Sequence, residues 1–335
     1  MEKKNNVLNI ENLTVEFHVD GEIAQAVTDV TIHLEEGTTL GLVGETGAGK
    51  TTTALAALNL IQTPPGVIKA DKVEVCGKDM LKLKPNELTK VRGKDISMIF
   101  QDPMTSLNPV FDVGTQIQEA ILLHEKVTKA EAWEKAMQML ELVGIPRTRG
   151  SEYPHQFSGG MKQRVVIAIA LACNPKMLIA DEPTTALDVT IQAQVLEMMK
   201  GLRDKFQTGM IMITHDLGIV AEICDEVAVM YAGRIVEKGT LDDVFNRTRH
   251  PYTEGLFNSL PNINDRKAKL QPIPGLMPDP TNLPVGCAFA PRCKYATEAC
   301  KQAQPVTRQV SDTHIVACSA YDDPAFRIER SKNRE

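Results

Sequence analysis

Residues 38–51 read TTLGLVGETGAGKT, and the chain's fold turns on them. The first six are small or apolar and suit a strand covered on both faces; residues 51–61, TTTALAALNLI, place Leu55, Leu58 and Ile61 at helical spacing. Between them, Gly44-Glu-Thr-Gly47-Ala-Gly49-Lys50-Thr51 fits the G-x-x-x-x-G-K-[ST] phosphate loop in the strand-loop-helix setting its chemistry needs. Glycines let the backbone curl so that successive N–H groups and the positive end of the helix face the phosphates. Lys50 would reach the β- and γ-phosphates, and the Thr51 hydroxyl would serve Mg2+. The plain alternative, a glycine-rich turn that binds nothing, is disfavoured by the strand before it and the helix after it. Gly44, Gly47, Gly49, Lys50, Thr51 and Thr52 are therefore the expected ATP- and Mg2+-binding set.

Working outward, the 335 residues allow one large or two unequal domains, and 43% hydrophobic residues supply a real core. A net charge of −6 argues against sequence-independent nucleic-acid binding, which needs a basic face to displace counterions. Only 4% of residues are aromatic, which disfavours a base-stacking platform. The opening MEKKNNVLNI lacks the apolar core of a signal peptide, so no export is expected. The longest apolar stretch, residues 165–173, is too short to span a bilayer. Any membrane role is expected to run through a partner.

Apolar runs at 38–43, 96–100, 177–180, 210–213 and 227–231 read as strands covered on both faces, which implies a mainly parallel sheet flanked by helices. Residues 101–158 change to a helical pattern. There Thr128-Lys-Ala-Glu131 is a capping box, followed by Trp133, Ala136, Met137, Leu140 and Val143, with Gly144 as the stop. Seven prolines fall from Pro261 to Pro291, so regular helices and central strands are not expected there. The expected architecture is an α/β phosphate-loop ATPase core, its N-terminal part rich in β structure. It comprises residues 1–245, with a helical subdomain inserted at about 102–165, and a loop-rich C-terminal extension follows over 246–335.

The run ending at Ala180 is followed by Asp181-Glu182, two carboxylates at the carboxyl end of a buried strand, where ligands collect in open α/β sheets. Asp181 would hold Mg2+ through its water shell, and Glu182 would accept a proton from the attacking water. An acidic pair at a strand end is often just a solvated edge; a phosphate loop in the same chain shifts the balance to chemistry. Ser158-Gly159-Gly160-Met-Lys-Gln163-Arg then opens an apolar helix, and with it the chain resembles an ABC ATPase. In that family this signature contacts the γ-phosphate of ATP bound on the opposite subunit, which implies the same for Ser158, Gly159, Gly160 and Gln163. The resemblance further assigns Gln101 to the glutamine loop, Ala186-Leu187-Asp188 to the loop bridging the two sites, and Thr214-His215-Asp216 to the switch histidine. Singly each has a duller explanation: Ser158 and Asp188 as helix caps, Gln101 as a surface amide, His215 as a loop histidine. Their order and spacing argue for the set. Two departures are visible: Phe157 stands where leucine is usual, and the adenine-stacking aromatic is not obvious. Phe17 is the nearest candidate, with His18 and Ile23 as alternatives and ordinary strand packing as the competing role.

Gln101-Asp-Pro-Met-Thr-Ser-Leu-Asn-Pro109, His250-Pro-Tyr-Thr253 and the Gly286-Cys287 to Arg292-Cys293 segment are similar to the ATPase subunits of oligopeptide and dipeptide importers. The resemblance implies a second ATPase subunit, a paralogue or a copy of this chain, two membrane permease subunits and, indirectly, an extracytoplasmic peptide-binding protein. It implies a peripheral place on the cytoplasmic face of the membrane. Residues 102–109 would form the rim that receives the permease. A nickel or sugar importer subunit is the nearer alternative. A DNA-repair ATPase would carry long coiled coils or a basic insertion, yet only 107 residues lie between Lys50 and Ser158. A translation-associated ATPase would carry two ATPase halves.

Cys287, Cys293, Cys300 and Cys318 are separated by five, six and seventeen residues. Four thiols in one short segment suggest one metal centre, and spacing alone leaves zinc and an iron–sulfur cluster level. The importer resemblance implies a [4Fe–4S] cluster, with zinc, free thiols or disulfides as alternatives. Cys76, Cys173 and Cys224 sit singly in apolar or strand-end contexts and read as packing residues.

Overall fold

A computed structural model describes residues 5–185, 187–260 and 271–332. The chain opens with two long strands, β1 (Asn6–Val19) and β2 (Glu22–Glu35), followed by β3 (Thr39–Val43) and α1 (Lys50–Ala57). Short strands β4 (Gly66–Lys69), β5 (Lys72–Val75) and β6 (Lys78–Asp79), helix α2 (Pro85–Val91) and strand β7 (Ile96–Ile99) come next. Helices α3 (Pro103–Ser106), α4 (Val113–His124), α5 (Lys129–Leu142) and α6 (Gly159–Leu171) fill the middle of the chain. β8 (Met177–Asp181), α7 (Val189–Phe206), β9 (Gly209–Thr214), α8 (Leu217–Ile223), β10 (Glu226–Tyr231) and β11 (Arg234–Thr240) return to the sheet. The remainder contributes α9 (Leu241–Asn246), α10 (Pro251–Asn258), α11 (Glu298–Gln302), β12 (Thr307–Gln309), β13 (Ile315–Ala317) and α12 (Glu329–Lys332).

The main sheet runs β12-β13-β11-β10-β3-β9-β8-β7, and its five strands from β10 to β7 are parallel. β3, β8 and β9 are buried at every residue, which is why they read as continuous apolar runs rather than as alternation. Their side chains still divide by face. Met177, Ile179, Ile211 and Ile213 join a core shared with α1 and the antiparallel sheet, while Leu178, Ala180, Met210 and Met212 join the core under α4–α8. The antiparallel sheet, ordered β2-β1-β5-β6 with β4 on β1, covers the first face.

The capping box forms as its sequence requires. Glu131 N–H donates to Thr128 Oγ1 at 3.3 Å, Thr128 N–H donates to Glu131 Oε2 at 2.7 Å, and α5 stops before Gly144 at φ +76°. One expectation needs correction. The helix expected over 51–61 ends at Ala57, because Asn59 takes a left-handed φ of 51° that breaks the hydrogen-bond ladder. The proline-rich stretch is free of helix and strand from 271 to 289, but beyond it the chain is more regular than its composition implies. β13 pairs antiparallel with β11 and β12 with β13, so the C-terminal part extends the main sheet.

Candidate active site

The phosphate loop joins the carboxyl end of β3 to α1, with Gly49 as the helix cap at φ +98°. A Cβ at Gly49 would stand 2.5 Å from the Ala26 carbonyl oxygen, and one at Gly44 would stand 2.3 Å from that of Met230. Both approaches need glycine. Lys50 is buried, and its Nζ folds back to donate to the carbonyl oxygens of Gly44 at 2.7 Å and Glu45 at 2.9 Å. Burial lowers its pKa, opposed by the negative charges of Glu182, Asp181 and Glu45. Thr51 Oγ1 donates to Asp181 Oδ2 at 2.8 Å, and Thr52 follows it, half-buried on α1.

Asp181 ends β8, and Glu182 follows it at a left-handed φ of 47°. That turn sends the two adjacent carboxylates into different surroundings. Asp181 lies 3% exposed, and burial raises its pKa against the Thr51 hydrogen bond and the Lys50 charge. Burial acts on Glu182 in the same sense, but it is outweighed by hydrogen bonds from His215, Thr185 and Gln101 and the His215 charge, so its pKa falls. Gln101 Nε2 and Thr185 Oγ1 each donate to Glu182 Oε2 at 3.0 Å, and His215 Nδ1 meets Oε1 at 2.9 Å. Lys50, Thr51, Asp181, Glu182, Gln101 and His215 thus form one charge and hydrogen-bond system at the carboxyl ends of β3, β7, β8 and β9. Thr185 was not anticipated from sequence, though its place three residues beyond Glu182 on the same turn made it findable.

The signature lies apart from this group. Ser158 caps α6, its Oγ accepting from Met161 N–H at 3.4 Å, and Ser158 and Gly159 are exposed. Among the described residues, no hydrogen bond joins Ser158, Gly159 or Gly160 to residues 44–51. Gly160 faces α7, where an added Cβ would meet Ile191 Cγ2 at 2.5 Å. Gln163, expected to reach nucleotide, is 1% exposed and faces the interior instead, its Nε2 without a hydrogen-bond partner. Asp188 caps α7 from an exposed position, Oδ1 accepting from Ile191 N–H at 3.0 Å, while Ala186 lies outside the described residues. Phe157 is buried beneath the Arg149 guanidinium, 4.4 Å from its ring centroid. Phe17 sits on β1 opposite Ala24, half-buried; its ring edge lies 3.5 Å from where a Cβ on Gly66 would stand.

The four C-terminal thiols, Cys287, Cys293, Cys300 and Cys318, line one small cavity with His250 and Phe289, and none is in a disulfide. Burial raises the pKa of Cys293 to about 11 and of Cys318 to about 12. Among the described residues no three His, Cys, Asp or Glu side chains converge closely enough to hold a metal ion. Cys173 and Cys224 are buried and Cys76 half-buried.

This combination of two sheets, inserted helices and phosphate loop is the ATP-binding cassette fold. Residues 27–185 match the ABC transporter family model, and residues 236–300 match that of the oligopeptide/dipeptide transporter C-terminal region. A solved dimer of the cassette MJ0796 superimposes with a TM-score of 0.60 at 25% identity, over 70% of this chain and 98% of that one. The oligopeptide transport ATP-binding protein OppD of Bacillus subtilis is 52% identical over 96% of this chain and 91% of its own length. The dipeptide transport ATP-binding protein DppD of the same organism is 47% identical over 95% of this chain and 96% of its own length. The chain belongs to the family of ATP-binding subunits of ABC-type oligopeptide and dipeptide transporters. It is an ATPase of the cassette class, and among the described residues no helix is long and apolar enough to cross a membrane.

Proposed function

We propose that this chain hydrolyses ATP to drive import of dipeptides and oligopeptides through a membrane transporter. The observation carrying the chemistry is Glu182, held ionised by His215, Thr185 and Gln101 beside a loop whose Thr51 donates to Asp181 and whose Lys50 feels the charge of both carboxylates. The peptide cargo is supported by the match of residues 236–300 and by the relatives named for peptide transport.

Lys50 would exchange the two loop carbonyls for phosphate oxygens, a gain because the cation then faces charge rather than dipoles. Thr51 and Asp181 supply oxygen ligands of the kind Mg2+ prefers, and the ion would neutralise charge building on the phosphates. Glu182 takes the proton of the attacking water, with Gln101 and His215 orienting both. Gly44, Gly47, Gly49 and Thr52 complete the cradle, and Phe17 would stack on the adenine. Ser158 and Gly159, exposed at the positive end of α6, and the half-buried Gly160 beside them would close on nucleotide held by a second ATPase subunit, with Asp188 between the two sites. The burial of Gln163 favours support of that helix over contact. The second subunit would be a paralogue or a copy of this chain.

Two permease subunits would dock on the rim formed by residues 102–109 beside Gln101, flanked by Phe100, Val110 and Phe111, which are 47%, 69% and 49% exposed. An extracytoplasmic binding protein would deliver the peptide, placing this chain peripherally on the cytoplasmic face. We divide it at about residue 245, with the helical insertion at about 102–165. The [4Fe–4S] proposal rests on the chemistry of the donor set, four thiols lining one cavity; as they stand no three converge closely enough to hold a metal, so the thiols would have to draw together around a cluster, which would then cross-link the segment, and no step of hydrolysis passes through it. Iron and acid-labile sulfide in anaerobically purified protein test it, and their absence rejects it.

Uptake of a labelled dipeptide and a labelled pentapeptide, comparing the unaltered chain with Glu182→Gln at equal expression, tests the main proposal. Loss of either identifies the cargo class. Persistence of both would leave an ABC ATPase serving another cargo, such as nickel or a sugar.

A further inference from the structure

Glu45, the second residue of the phosphate loop, has every polar group engaged. Its N–H donates to Tyr252 Oη at 2.9 Å, its carbonyl accepts from Lys50 Nζ at 2.9 Å, and its Oε2 accepts from Arg292 Nη1 at 3.0 Å. Tyr252 lies on α10, and Arg292 lies between Phe289 and Cys293 in the cysteine segment. Neither sits loosely. The Arg292 side chain is 6% exposed; its Nε donates to the Pro274 carbonyl at 2.8 Å and its Nη1 to Tyr231 Oη at 3.3 Å. Phe289 packs edge-on against Tyr231 and Tyr252, at ring-centroid distances of 5.2 and 5.4 Å. On the far side, Cys287 N–H donates to the Cys300 carbonyl at 2.7 Å, and Cys293 N–H donates to that of Ala290 at 3.3 Å. Bonds and hydrogen bonds therefore run without a gap from the thiol cavity through Arg292 and Glu45 to Lys50.

We propose that Arg292 and Tyr252 are positioning residues for the phosphate loop, so that the cysteine-bearing segment sets how tightly the site holds nucleotide. The physical reason lies in how such a loop binds. Its grip comes from backbone N–H groups pointing the same way, and rotation of one peptide spoils the set. Glu45 is the residue where rotation is checked from outside the loop, at its N–H by a phenol and at its carboxylate by a nearly buried guanidinium. A half-buried charge-assisted hydrogen bond resists such motion better than a neutral one. Thermodynamic linkage makes the effect reciprocal: whatever shifts the segment shifts nucleotide affinity, and bound nucleotide orders the segment in turn.

The proposal rests on residues 44–51 being the nucleotide site, and the test separates the two. Affinity for a fluorescent ATP analogue with Mg2+ is measured on the full-length chain at a temperature where circular dichroism shows every variant folded. Arg292→Met and Glu45→Gln are each expected to weaken binding about fivefold, and the double variant no more than either single one. Arg292→Lys, which keeps the charge but not the fork, should recover part of the loss. A purely structural Arg292 would lower the melting temperature and leave affinity unmoved. Unchanged affinity in both single variants, or losses that multiply in the double, overturns the proposal. Should Arg292→Met not fold, Tyr252→Phe removes one oxygen from the same network and is expected to weaken binding about threefold; unchanged affinity there is equally fatal. If the unaltered chain binds no better than Lys50→Ala, it is the site assignment that fails, not the linkage.

Discussion

At the scale of single residues, Asp181 and Glu182 show how two neighbouring carboxylates acquire opposite characters. One is buried against Thr51 and pushed toward its neutral form, the other is held ionised by three donors, and a left-handed turn separates them. A base must be ionised at working pH, which suits Glu182 to proton transfer; Asp181 suits a metal by its place against the Thr51 hydroxyl, where a bound cation would offset the burial that raises its pKa. Glu182→Gln should therefore reduce ATP turnover about a hundredfold or more while ATP binding persists, as read by phosphate release alongside equilibrium binding. Near-normal turnover in that variant would remove Glu182 from the base role.

At the scale of elements, the caps decide where helices start and how two of them respond to change. Removing the Thr128 cap with Thr128→Ala should cost about 1 kcal/mol, seen as faster amide exchange in the first turn of α5. His250 caps α10 with Nδ1, accepting from Tyr252 N–H at 3.1 Å, and is fully enclosed. Burial drops its pKa from 6.5 to about 3, the backbone hydrogen bond to Ala317 opposing this. The neutral ring is the folded form, so its contribution is complete above pH 6.5 and is lost as pH falls from there toward 3, where only the unfolded chain takes the proton. The slope is about 1.4 kcal/mol per pH unit for one proton. His250→Asn keeps a side-chain acceptor at the cap and should flatten the fall in stability across that window, measured by denaturant titration at stepped pH. An unchanged slope would mean that His250 is not the residue taking up the proton.

At the scale of the whole molecule, among the described residues no hydrogen bond joins Ser158, Gly159 or Gly160 to the group around Glu182, an arrangement in keeping with the proposal that two subunits share each site. Ser158→Arg should leave ATP binding to the altered chain intact but lower hydrolysis about tenfold or more in a pair whose partner is unaltered, since the helix end would meet the partner's nucleotide with bulk and charge. Full hydrolysis in the mixed pair would argue against a shared site. The C-terminal part also closes the sheet: β13 pairs with β11, and the buried His314 Nε2 meets Glu237 Oε1 at 2.8 Å. Deleting residues 246–335 would bare the β11 edge and leave Glu45 without Tyr252 and Arg292. The truncated chain is expected to be recovered mainly as aggregate, as gel filtration would show.

Much of this was determined by sequence alone, because the signals are local. A phosphate loop is a backbone shape written in glycines, buried parallel strands are apolar runs, and a capping box is a reciprocal pair three residues apart; each survives being read one window at a time. The order of Gln101, Ser158, Asp181, Glu182 and His215 carried the family as well. What only the tertiary structure decided are relations between distant windows. The inward turn of Gln163 depends on what packs beside α6. The contacts of Arg292 with Glu45 and of Tyr252 with the same residue span 247 and 207 positions. The pairing of β13 with β11 needs a proline-rich segment to return to the sheet edge. No local pattern encodes these, since an arginine beside a cysteine reads the same whether it faces solvent or a phosphate loop, and only the packed chain distinguishes the two.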